Sequence, residues 1–464
     1  MNFNVFLMFG NFLDRTLFYE VYGFPVLIIL LIFTSIFFSV YLNFPGIALF
    51  KYSIANAISS GSDDSSANNG LLKSKQSLFT SLSSIVGMGS VAGVATAINT
   101  GGPGSILWLM IMMIFSMNTS FSETLLAVRH RNVDLEKKTI DCAPIRYIRK
   151  SLEEVGFLRF GFFLSIVYGV MYFIGLIGTQ IYQVGEAVNL LTQFKLLSES
   201  RIIITVLFNL TVLVIIYGGI TRMAQVFEKL LPVVCSIYLI SVMVILVFNI
   251  KNLPMAVLTM VKEAFKIKSV TGGIVGAICT GVKRGTYSNE SGLGSATTPY
   301  AAMNSANPLK QAGLGSLNPI FVGLMCMATG LIIVSSGIYL DPNSGNGIVM
   351  VKNAFSSVFS WFPYILSTII PLLSLSLCIS SAFGAQNVYQ YYFGRKTIFL
   401  YFILQFTAIL SSAFINLDEI IMVADTLYLS IAVPNIICLF LSRKIIKATY
   451  EENRKKLTVK TSRS

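Results

Sequence analysis

The sequence predicts an all-α membrane protein with about 11 transmembrane helices, arranged as two five-helix units after one additional N-terminal helix. Three observations support this prediction. Hydrophobic residues make up 54% of the 464 residues and charged residues 12%, about half the charged share of soluble domains. Several uncharged apolar runs reach about 20 residues, which is the length that crosses a hydrocarbon core of roughly 30 Å. Two of these runs are interrupted by glycine-rich stretches, at 84–104 and 272–295.

Apolar runs separated by glycine, proline or charged residues define the candidate crossings. In chain order they are 24–43, 79–100, 104–128, 158–190, 202–220, 230–250, 270–286, 314–338, 362–391, 397–415 and 421–442. The first run, FPVLIILLIFTSIFFSVYLN, follows Asp14, Arg15 and Glu20 rather than a basic cluster. We therefore expect a retained span and not a signal peptide.

The positions of the basic residues predict the orientation. Lys and Arg accumulate in the loop 129–150 and in the tail RKIIKATYEENRKKLTVKTSRS at 443–464, and basic loops of this kind stay on the cytoplasmic side. We therefore place the N-terminus outside and the C-terminus in the cytoplasm of a multi-pass protein of the cell (inner) membrane. The net charge of +13 reports this orientation and not nucleic-acid binding. The basic residues expected outside are Arg15, Lys195, Arg201, Lys251, Lys262, Lys266, Lys268 and Lys352.

The glycine-rich breaks favour a transporter. The second span contains Gly87, Gly89 and Gly93, and the seventh contains GGIVGAICTGVKRGTYSNESGLGS at 272–295. Backbone that leaves the helix inside a bilayer must line a polar cavity or be buried in protein, and transporters bind substrates at such half-helices. Because five spans separate the two breaks, we predict repeats at 79–250 and 251–442. The alternative is that these glycines only allow close helix packing.

The remaining segments add no second globular domain. Residues 1–43 form the additional span, 44–78 with SSGSDDSSANNG are expected to be a flexible cytoplasmic linker, and 443–464 form a basic helix at the membrane surface. The six Cys have no metal-ligand spacing, and the single histidine, His130, is expected to be a solvated loop residue. Neither a Walker A sequence nor a nucleophile–histidine pair is present. We therefore expect no enzyme and no cofactor.

Four blocks of the sequence resemble a known family. They are GVATAINTGGPGSILW (93–108), SETLLAVRHR (122–131), GVKRGTYSNESGLGSA (281–296) and VADTLYLSIAVPN (423–435). They are similar, in order, to the motifs of the bacterial and archaeal alanine/glycine:cation symporters, the sodium:alanine symporter-like proteins. The resemblance implies a leucine-transporter-like fold with five-plus-five inverted repeats. It also implies that a small neutral amino acid is carried together with a cation, usually Na⁺.

The resemblance also implies where the ligands bind. The free N–H groups of a half-helix suit the substrate carboxylate, and carbonyl and hydroxyl oxygens suit Na⁺. The implied substrate site comprises Gly87, Met88, Gly89, Gln180, Ile278 and Ser381. The implied cation site comprises the carbonyls of Ser83 and Val86 and the hydroxyls of Ser376 and Ser380.

The chain departs from the family pattern at this site. The family's G-T-G-N-I is GMGSV here, so Met88 and Ser90 replace a threonine and an asparagine, and Ser381 stands where the family usually has a tryptophan. These changes fit either a retuned substrate preference or altered cation coupling, and we favour the first. Proton coupling, a larger substrate such as glutamine, and a sensor that binds an amino acid without transporting it remain the alternatives.

Charged residues inside or beside the spans are candidates for gating. Lys283, Arg284 and Glu290 lie close together in sequence and are expected to pair at an inner gate. A purely structural pairing of these residues is an equal alternative. Glu123 and Asp425 lie near predicted span ends, where a helix-cap or ion-pair role is expected. The sequence leaves the oligomeric state open.

Overall fold

Helices account for nearly all of the regular structure. The computed structural model describes residues 15–21, 23–58, 70–134, 139–141, 143–193, 201–266, 273–305, 307–414 and 417–461. Within these residues, two short antiparallel hairpins pair β1 (Glu20–Val21) with β2 (Phe24–Pro25) and β3 (Asn132–Asp134) with β4 (Thr139–Asp141).

The helices of the first half lead through the first glycine-rich run. They are α1 (Val26–Tyr41), α2 (Pro45–Ala48), α3 (Phe50–Ile58), α4 (Ser74–Ile85), α5 (Ala92–Gly101), α6 (Gly104–Arg129), α7 (Pro144–Glu154), α8 (Leu158–Gln193), α9 (Arg201–Tyr217) and α10 (Gly219–Phe248). A short 3-10 turn, Met88–Ser90, separates α4 from α5.

The helices of the second half lead through the second glycine-rich run. They are α11 (Leu253–Ala264), α12 (Gly273–Asn289), α13 (Thr298–Ala301), α14 (Pro308–Ser316), α15 (Asn318–Ser335), α16 (Ile348–Ser356), α17 (Pro363–Phe393), α18 (Ile398–Ser411), α19 (Leu417–Ser430), α20 (Ala432–Leu441) and α21 (Arg443–Thr461). A 3-10 turn, Ser295–Thr297, precedes α13.

Six helical segments of the described chain are long and apolar enough to cross a membrane. They are Gly104–Arg129, Leu158–Thr192, Gly219–Phe248, Pro308–Ser335, Pro363–Phe393 and Val423–Leu441. α1 and α9 are apolar but shorter. Large apolar side chains on the outside of the bundle, such as Phe33, Ile240 and Phe399, suit a lipid environment better than water. The chain is therefore an all-α, multi-pass membrane protein.

Small residues bring the central helices together. α8 packs along α17 and α19, and α12 packs along α6. A Cβ on Gly178 would lie 2.7 Å from the Ala424 Cβ, and one on Gly281 would collide with the Ser105 carbonyl oxygen. Glycine is needed at both positions because each helix backbone touches its neighbour. This close packing holds both breaks in the middle of the bundle.

The two ends of the bundle can be told apart by their contacts. Gly23 and Gly101 both lie against the start of α12, at Val275 and Gly276, and we name this end the N-terminal face. The opposite end carries the hairpin β3–β4, α7 and α21, and we name it the C-terminal face. There Tyr450 of α21 packs edge-on against Phe121, with ring centroids 5.5 Å apart.

Part of the expected linker 44–78 is ordered helix, which corrects the prediction. α2 and α3 occupy 45–58, and Asn307 Nδ2 donates to the Tyr52 hydroxyl oxygen at 3.1 Å. Gly46 N–H donates to Asn118 Oδ1 at 3.0 Å, so this segment packs against α6. The polar run at 59–69 lies outside the described residues.

His130 is also less solvated than expected. Its side chain is 11% exposed, and Nε2 lies 3.6 Å from Glu154 Oε2. Burial lowers the pKa of His130 to about 4, against the opposing effect of Glu154. The imidazole is therefore neutral at physiological pH.

Candidate functional site

The first helix break lies between α4 and α5. Val86 is extended (φ −85°, ψ 95°) and Gly87 is also extended (φ −146°, ψ −153°). A Cβ on Gly87 would lie 3.1 Å from Leu377 Cδ1 of α17. Glycine therefore allows the broken backbone to approach α17 closely. The predicted interruption of the second span is confirmed at 86–91.

The break leaves backbone groups available to ligands. The helical bonds of α4 end with Val86 N–H donating to Leu82 O, and the next bond runs from Ser90 N–H to Gly87 O. Among the described residues, no hydrogen bond reaches the carbonyls of Ser83 and Val86, and none leaves the N–H groups of Gly87 and Gly89. A buried site with free carbonyls and free N–H groups can bind a cation and an anionic group.

The second break lies at 290–294, after α12. Glu290, Gly292 and Gly294 all have positive φ, at 56°, 89° and 77°. This position narrows the predicted interruption at 272–295 to its C-terminal part, because the residues from Gly273 to Asn289 form the continuous helix α12. Gly281 instead allows α12 to pack closely against α6, and Gly285 lies beside Leu109 of the same helix. The break belongs to the SNESGLGS part of the run.

Side chains from four helices form the network that braces the second break. Asn435 Nδ2 donates to Glu123 Oε1 at 2.6 Å and to the Gly292 carbonyl at 2.8 Å. Tyr147 O–H donates to Asn435 Oδ1 at 2.5 Å. Tyr168 O–H donates to the Leu293 carbonyl at 2.7 Å. The Glu123 carboxylate therefore lies inside a buried hydrogen-bond network and not at a solvated helix end.

Glu290 and the basic pair do not form the expected inner-gate cluster. Glu290 Oε2 accepts from Ser295 Oγ, and Glu290 Oε1 accepts from the Tyr428 hydroxyl, both at 2.5 Å. Arg284 Nη1 instead lies 3.8 Å from Asp425 Oδ2. The reason is their position, since Arg284 lines the outer cavity from within α12, whereas Glu290 follows the end of that helix and does not line the outer cavity. Lys283 Nζ lies 4.2 Å from the centre of the Phe18 ring.

A small enclosed space, which we call the central void, lies between the two breaks. Its volume is about 20 Å³, the room of one or two water molecules. The residues that line it come from α4, the first break, α8, the end of α12, α17 and α19: Ser84, Ile85, Gly87, Gly89, Thr179, Gln183, Tyr287, Ser288, Glu290, Leu377, Ser381 and Tyr428.

A larger space, the outer cavity, adjoins the central void. Its volume is about 400 Å³, and it is lined by Met88, Gly89, Ala92, Gly93, Thr96, Tyr182, Gln183, Glu186, Arg284, Tyr287, Asn346, Gly347, Ile348, Val349 and Asp425. Gly89, Gln183 and Tyr287 line both spaces. These three residues, with the Arg284–Asp425 ion pair, therefore separate the outer cavity from the central void.

On its other side the central void adjoins an inner void of about 40 Å³. Ser84, Glu290, Ser381 and Tyr428 line both. The other lining residues of the inner void are Thr80, Tyr172, Leu176, Ile220, Met223, Ser295, Thr298, Pro299, Ser380, Phe383, Gly384 and Asn387. A further cavity of about 280 Å³ shares Ile220, Phe383 and Asn387 with it. The cavities thus form a series through the bundle, interrupted at two narrow points.

The predicted substrate residues fall into two groups. Gly87, Gly89 and Ser381 line the central void, and Met88 lines the outer cavity. Gln180 and Ile278 do not appear among the lining residues of these spaces. Gln180 is 1% exposed, and neither amide atom of its side chain has a partner among the described residues. Gln183, three residues later on α8, lines both spaces.

The structure brings together most of the predicted cation residues. Ser83 Oγ and Ser380 Oγ lie 2.9 Å apart, and the carbonyls of Ser83 and Val86, at the same end of α4, accept no hydrogen bond from the described residues. Ser376 lies one helical turn before Ser380, and its hydroxyl donates to the Leu373 carbonyl at 2.8 Å. The paired hydroxyls and the unbonded carbonyls at the end of α4 are oxygen ligands of the kind that hard cations prefer.

The sequence contained a signal for the residues that the prediction missed. Along α8, Tyr172, Leu176, Thr179, Gln183 and Glu186 recur at spacings of three or four residues, which places them on one helix face. That face lines the series of cavities. Helical spacing would therefore have selected Gln183 in preference to Gln180. No comparable spacing joins Arg284 to Asp425, since they come from helices far apart in the chain.

Solved structures share this architecture. The structure of MhsT in complex with L-phenylalanine superposes with a TM-score of 0.56 at 12% identity, covering 80% of this chain and 90% of that one. A variant of the Eremococcus coleocola manganese transporter gives a TM-score of 0.52 at 12% identity, with coverage of 80% and 82%. At such low identity the likeness shows the fold alone, the leucine-transporter-like arrangement.

Sequence comparisons reach closer relatives. An uncharacterized transporter of Haemophilus influenzae is 32% identical over 81% of this chain and 82% of its own length. The sodium/alanine symporter AgcS of Methanococcus maripaludis is 29% identical, with coverage of 91% and 92%. The probable sodium/glutamine symporter GlnT of Bacillus subtilis is 28% identical, with coverage of 91% and 86%. Residues 12–463 match the profile of the sodium:alanine symporter family, and the chain is therefore a member of this family of membrane transporters.

Proposed function

We propose that the protein imports a small neutral amino acid, of the alanine or glycine type, together with Na⁺ by alternating access. The observation that carries the proposal is the central void between two helix breaks, with a closed narrow point on either side. Such a void is accessible from one face only after one narrow point opens. At about 20 Å³ the void is smaller than an amino acid. Substrate entry therefore requires the helices around it to separate.

The outer narrow point is proposed to be the gate that opens first. Arg284 of α12 and Asp425 of α19 attract each other across the floor of the outer cavity, with Tyr287 beneath them. Separating α12 from α19 would break this pair and connect the outer cavity to the central void. Under the orientation expected from the basic loops, the outer cavity faces the cell exterior.

The inner narrow point is proposed to be Glu290 with its hydroxyl donors. Glu290 and Tyr428 line both the central void and the inner void, and their hydrogen bond joins the second break to α19. Movement of the second break, at 290–294, away from α19 would open the path toward Asn387 and the C-terminal face. Glu290 thus keeps the gating role expected of it, with partners other than Lys283 and Arg284.

Na⁺ is proposed to bind between α4 and α17. Its ligands would be the carbonyls of Ser83 and Val86 and the hydroxyls of Ser83 and Ser380. Because these groups come from both the broken helix and α17, an ion there would hold the two helices together. That would link ion binding to the arrangement of the first break.

A larger substrate is the second candidate. Ser381, where the family usually has the much larger tryptophan, lines the central void. The Oε1 atom of buried Gln183 has no partner among the described residues. An amide oxygen of this kind can accept from the carboxamide of a substrate such as glutamine. Relatives of this chain are named for alanine and for glutamine, so both substrate classes are candidates.

Uptake into proteoliposomes tests the proposal. Radiolabelled L-alanine and L-glutamine should accumulate in Na⁺ medium and fail to accumulate when choline replaces Na⁺, and a proton uncoupler should have no effect. Competition by all twenty amino acids then ranks the substrates. Uncoupler-sensitive uptake without Na⁺ would identify a proton-coupled carrier, and binding without accumulation would identify a sensor.

Matched variants test the site. Gln183→Ala should weaken substrate binding by about 10-fold, near the upper end of the loss expected for one neutral hydrogen bond. Gln180→Ala, at a buried position outside the void, should change binding less than 3-fold. The opposite ranking would place the substrate on the other face of α8.

A further inference from the structure

We propose that Glu290 binds the ammonium group of the transported amino acid, opposite the N–H groups of Gly87 and Gly89, where the family resemblance already implies that the carboxylate binds. This inference rests on the proposed function and deepens it, because it states how the zwitterion is recognised. The second helix break would then be a binding surface as well as a gate.

Among the described residues that line the central void, Glu290 alone is charged. Its side chain is buried, with 7% of the residue exposed. Ser295 and Tyr428 donate one hydrogen bond to each carboxylate oxygen. Each oxygen retains a further lone pair, since a carboxylate can accept about four hydrogen bonds. The carboxylate can therefore accept a ligand without giving up its protein partners.

No basic side chain of the described residues forms an ion pair with Glu290. The nearest basic residue along the chain, Arg284, lies against Asp425. A buried carboxylate without a countercharge is costly. The ammonium group of an amino acid would supply that countercharge from within the void.

The backbone at Glu290 supports a specific role for this side chain. Its φ of 56° is in the left-handed region, which non-glycine residues adopt uncommonly. The surrounding network at Gly292 and Asn435 holds this conformation. A glycine would relieve the strain, yet the position carries the acidic side chain that reaches the void. Strain that is held in place in this way is typical of ligand sites.

The central void therefore has hydrogen-bond donors and positive potential at one wall and a negative charge at another. The first break contributes N–H groups at the start of the half-helix that leads into α5, where the helix dipole is positive. The second break contributes the negative carboxylate of Glu290. An α-amino acid carries the complementary charges on two substituents of one carbon. The two breaks together thus define its backbone orientation and leave its side chain toward Leu377 and Ser381.

The test compares L-alanine with L-lactate, in which a hydroxyl replaces the ammonium group. Binding of L-alanine, L-glutamine and L-lactate to the purified protein in Na⁺ is measured by calorimetry. We expect the wild type to bind its amino acid at least about 100-fold more tightly than L-lactate. In Glu290→Gln the affinity for the amino acid should fall by about 10- to 100-fold. The affinity for L-lactate should change less than 3-fold, so that the variant largely loses the preference for the amino acid over L-lactate.

Two controls separate this role from a structural one. Glu228→Gln removes a carboxylate that Gln76 contacts at 3.1 Å, away from the void, and should leave both affinities within 3-fold. Stabilisation of Glu290→Gln by Na⁺ in a melting experiment should match that of the wild type. If Glu290→Gln does not fold, Glu290→Asp keeps the charge but withdraws it, and should weaken the amino acid more than L-lactate.

Three outcomes would overturn the inference. Unchanged amino-acid affinity in Glu290→Gln would show that the carboxylate does not contact the substrate. Equal weakening of the amino acid and L-lactate, with a raised Na⁺ requirement, would assign Glu290 to the cation instead. A wild type that binds Na⁺ but no amino acid would overturn the proposed function itself, and the inference with it.

Discussion

Replacing Asp425 with asparagine should open the central void to the outer cavity more often, because it removes the negative partner of Arg284. The two side chains are 14% and 23% exposed, and their nearest charged atoms are 3.8 Å apart. Coulomb's law at an effective dielectric constant of about 20 gives an attraction of about 4 kcal/mol at this distance. Partial exposure to solvent reduces the net value to about 1–2 kcal/mol. The ratio of open to closed gates should therefore rise by about 5- to 30-fold.

Labelling of an introduced cysteine measures this ratio. Thr179 lines the central void but not the outer cavity, so Thr179→Cys should react with an external, membrane-impermeant thiosulfonate only while the gate is open. In a background without the native cysteines, Asp425→Asn should raise the labelling rate of this cysteine by about 5- to 30-fold. Thr96→Cys, which lies in the outer cavity above the gate, should label at a rate that changes less than 2-fold.

The charge-reversed pair completes the experiment. Combining Arg284→Asp with Asp425→Arg should return the labelling rate of the Thr179 cysteine toward the parent value, since the attraction is restored with opposite sign. An unchanged rate in Asp425→Asn would refute the gate. Equal acceleration at the Thr96 and Thr179 positions would also refute it, because it would indicate general loosening of the bundle.

Three further predictions concern other parts of the chain. Gly87→Ala should weaken substrate binding several-fold in calorimetry, because the new Cβ would lie 3.1 Å from Leu377 Cδ1; Leu377→Ala in the same chain should restore it, and failure to do so would locate the cause elsewhere. Ser380→Ala should raise the Na⁺ concentration for half-maximal uptake by about 10-fold, the loss of one oxygen ligand bonded to a charge, and an unchanged requirement would remove it from the cation site. The pKa of His130 is lowered from its ordinary value of 6.5 to about 4 in the folded protein, so the unfolded chain binds the proton more readily. The free energy of unfolding should therefore fall as the pH drops from about 6.5 to 4. Melting temperatures across this range should fall less in H130Q than in the wild type, and parallel curves would contradict the buried, neutral imidazole.

The sequence predicts the class of fold well because membrane helices carry a strong local signal. Long uncharged runs and internal glycines are sufficient for an all-α bundle with two interrupted helices. The exact position of the second break is harder, since glycine has two uses here. Gly281 gives close packing against α6, whereas Gly292 and Gly294 give left-handed backbone. A linear pattern does not distinguish these uses.

The candidate site is predicted less completely than the fold. Gly87 and Gly89 line the central void because the break itself places them there, and Ser381 lines it from α17. That these residues bind the substrate stays a prediction. The pairing of Arg284 with Asp425, and of Glu290 with Tyr428, depends on how α12 and α19 pack. These helices are separated by more than 100 residues in the chain. Short-range charge spacing instead suggested a cluster of Lys283, Arg284 and Glu290 that the packing does not form.

The two helix breaks are held very differently. The second is tied to its neighbours through Asn435 and Tyr168. In the first, the Gly87 carbonyl accepts from the hydroxyl of nearby Ser90, and the Ser90 carbonyl accepts from Thr329 of α15. The second break is thus hydrogen-bonded to side chains of two neighbouring helices. The first break is bonded within its own turn and to α15. During the transport cycle we therefore expect the glycine-rich segment at 86–91 to change its backbone conformation more than the second break, which moves together with the side chains that brace it.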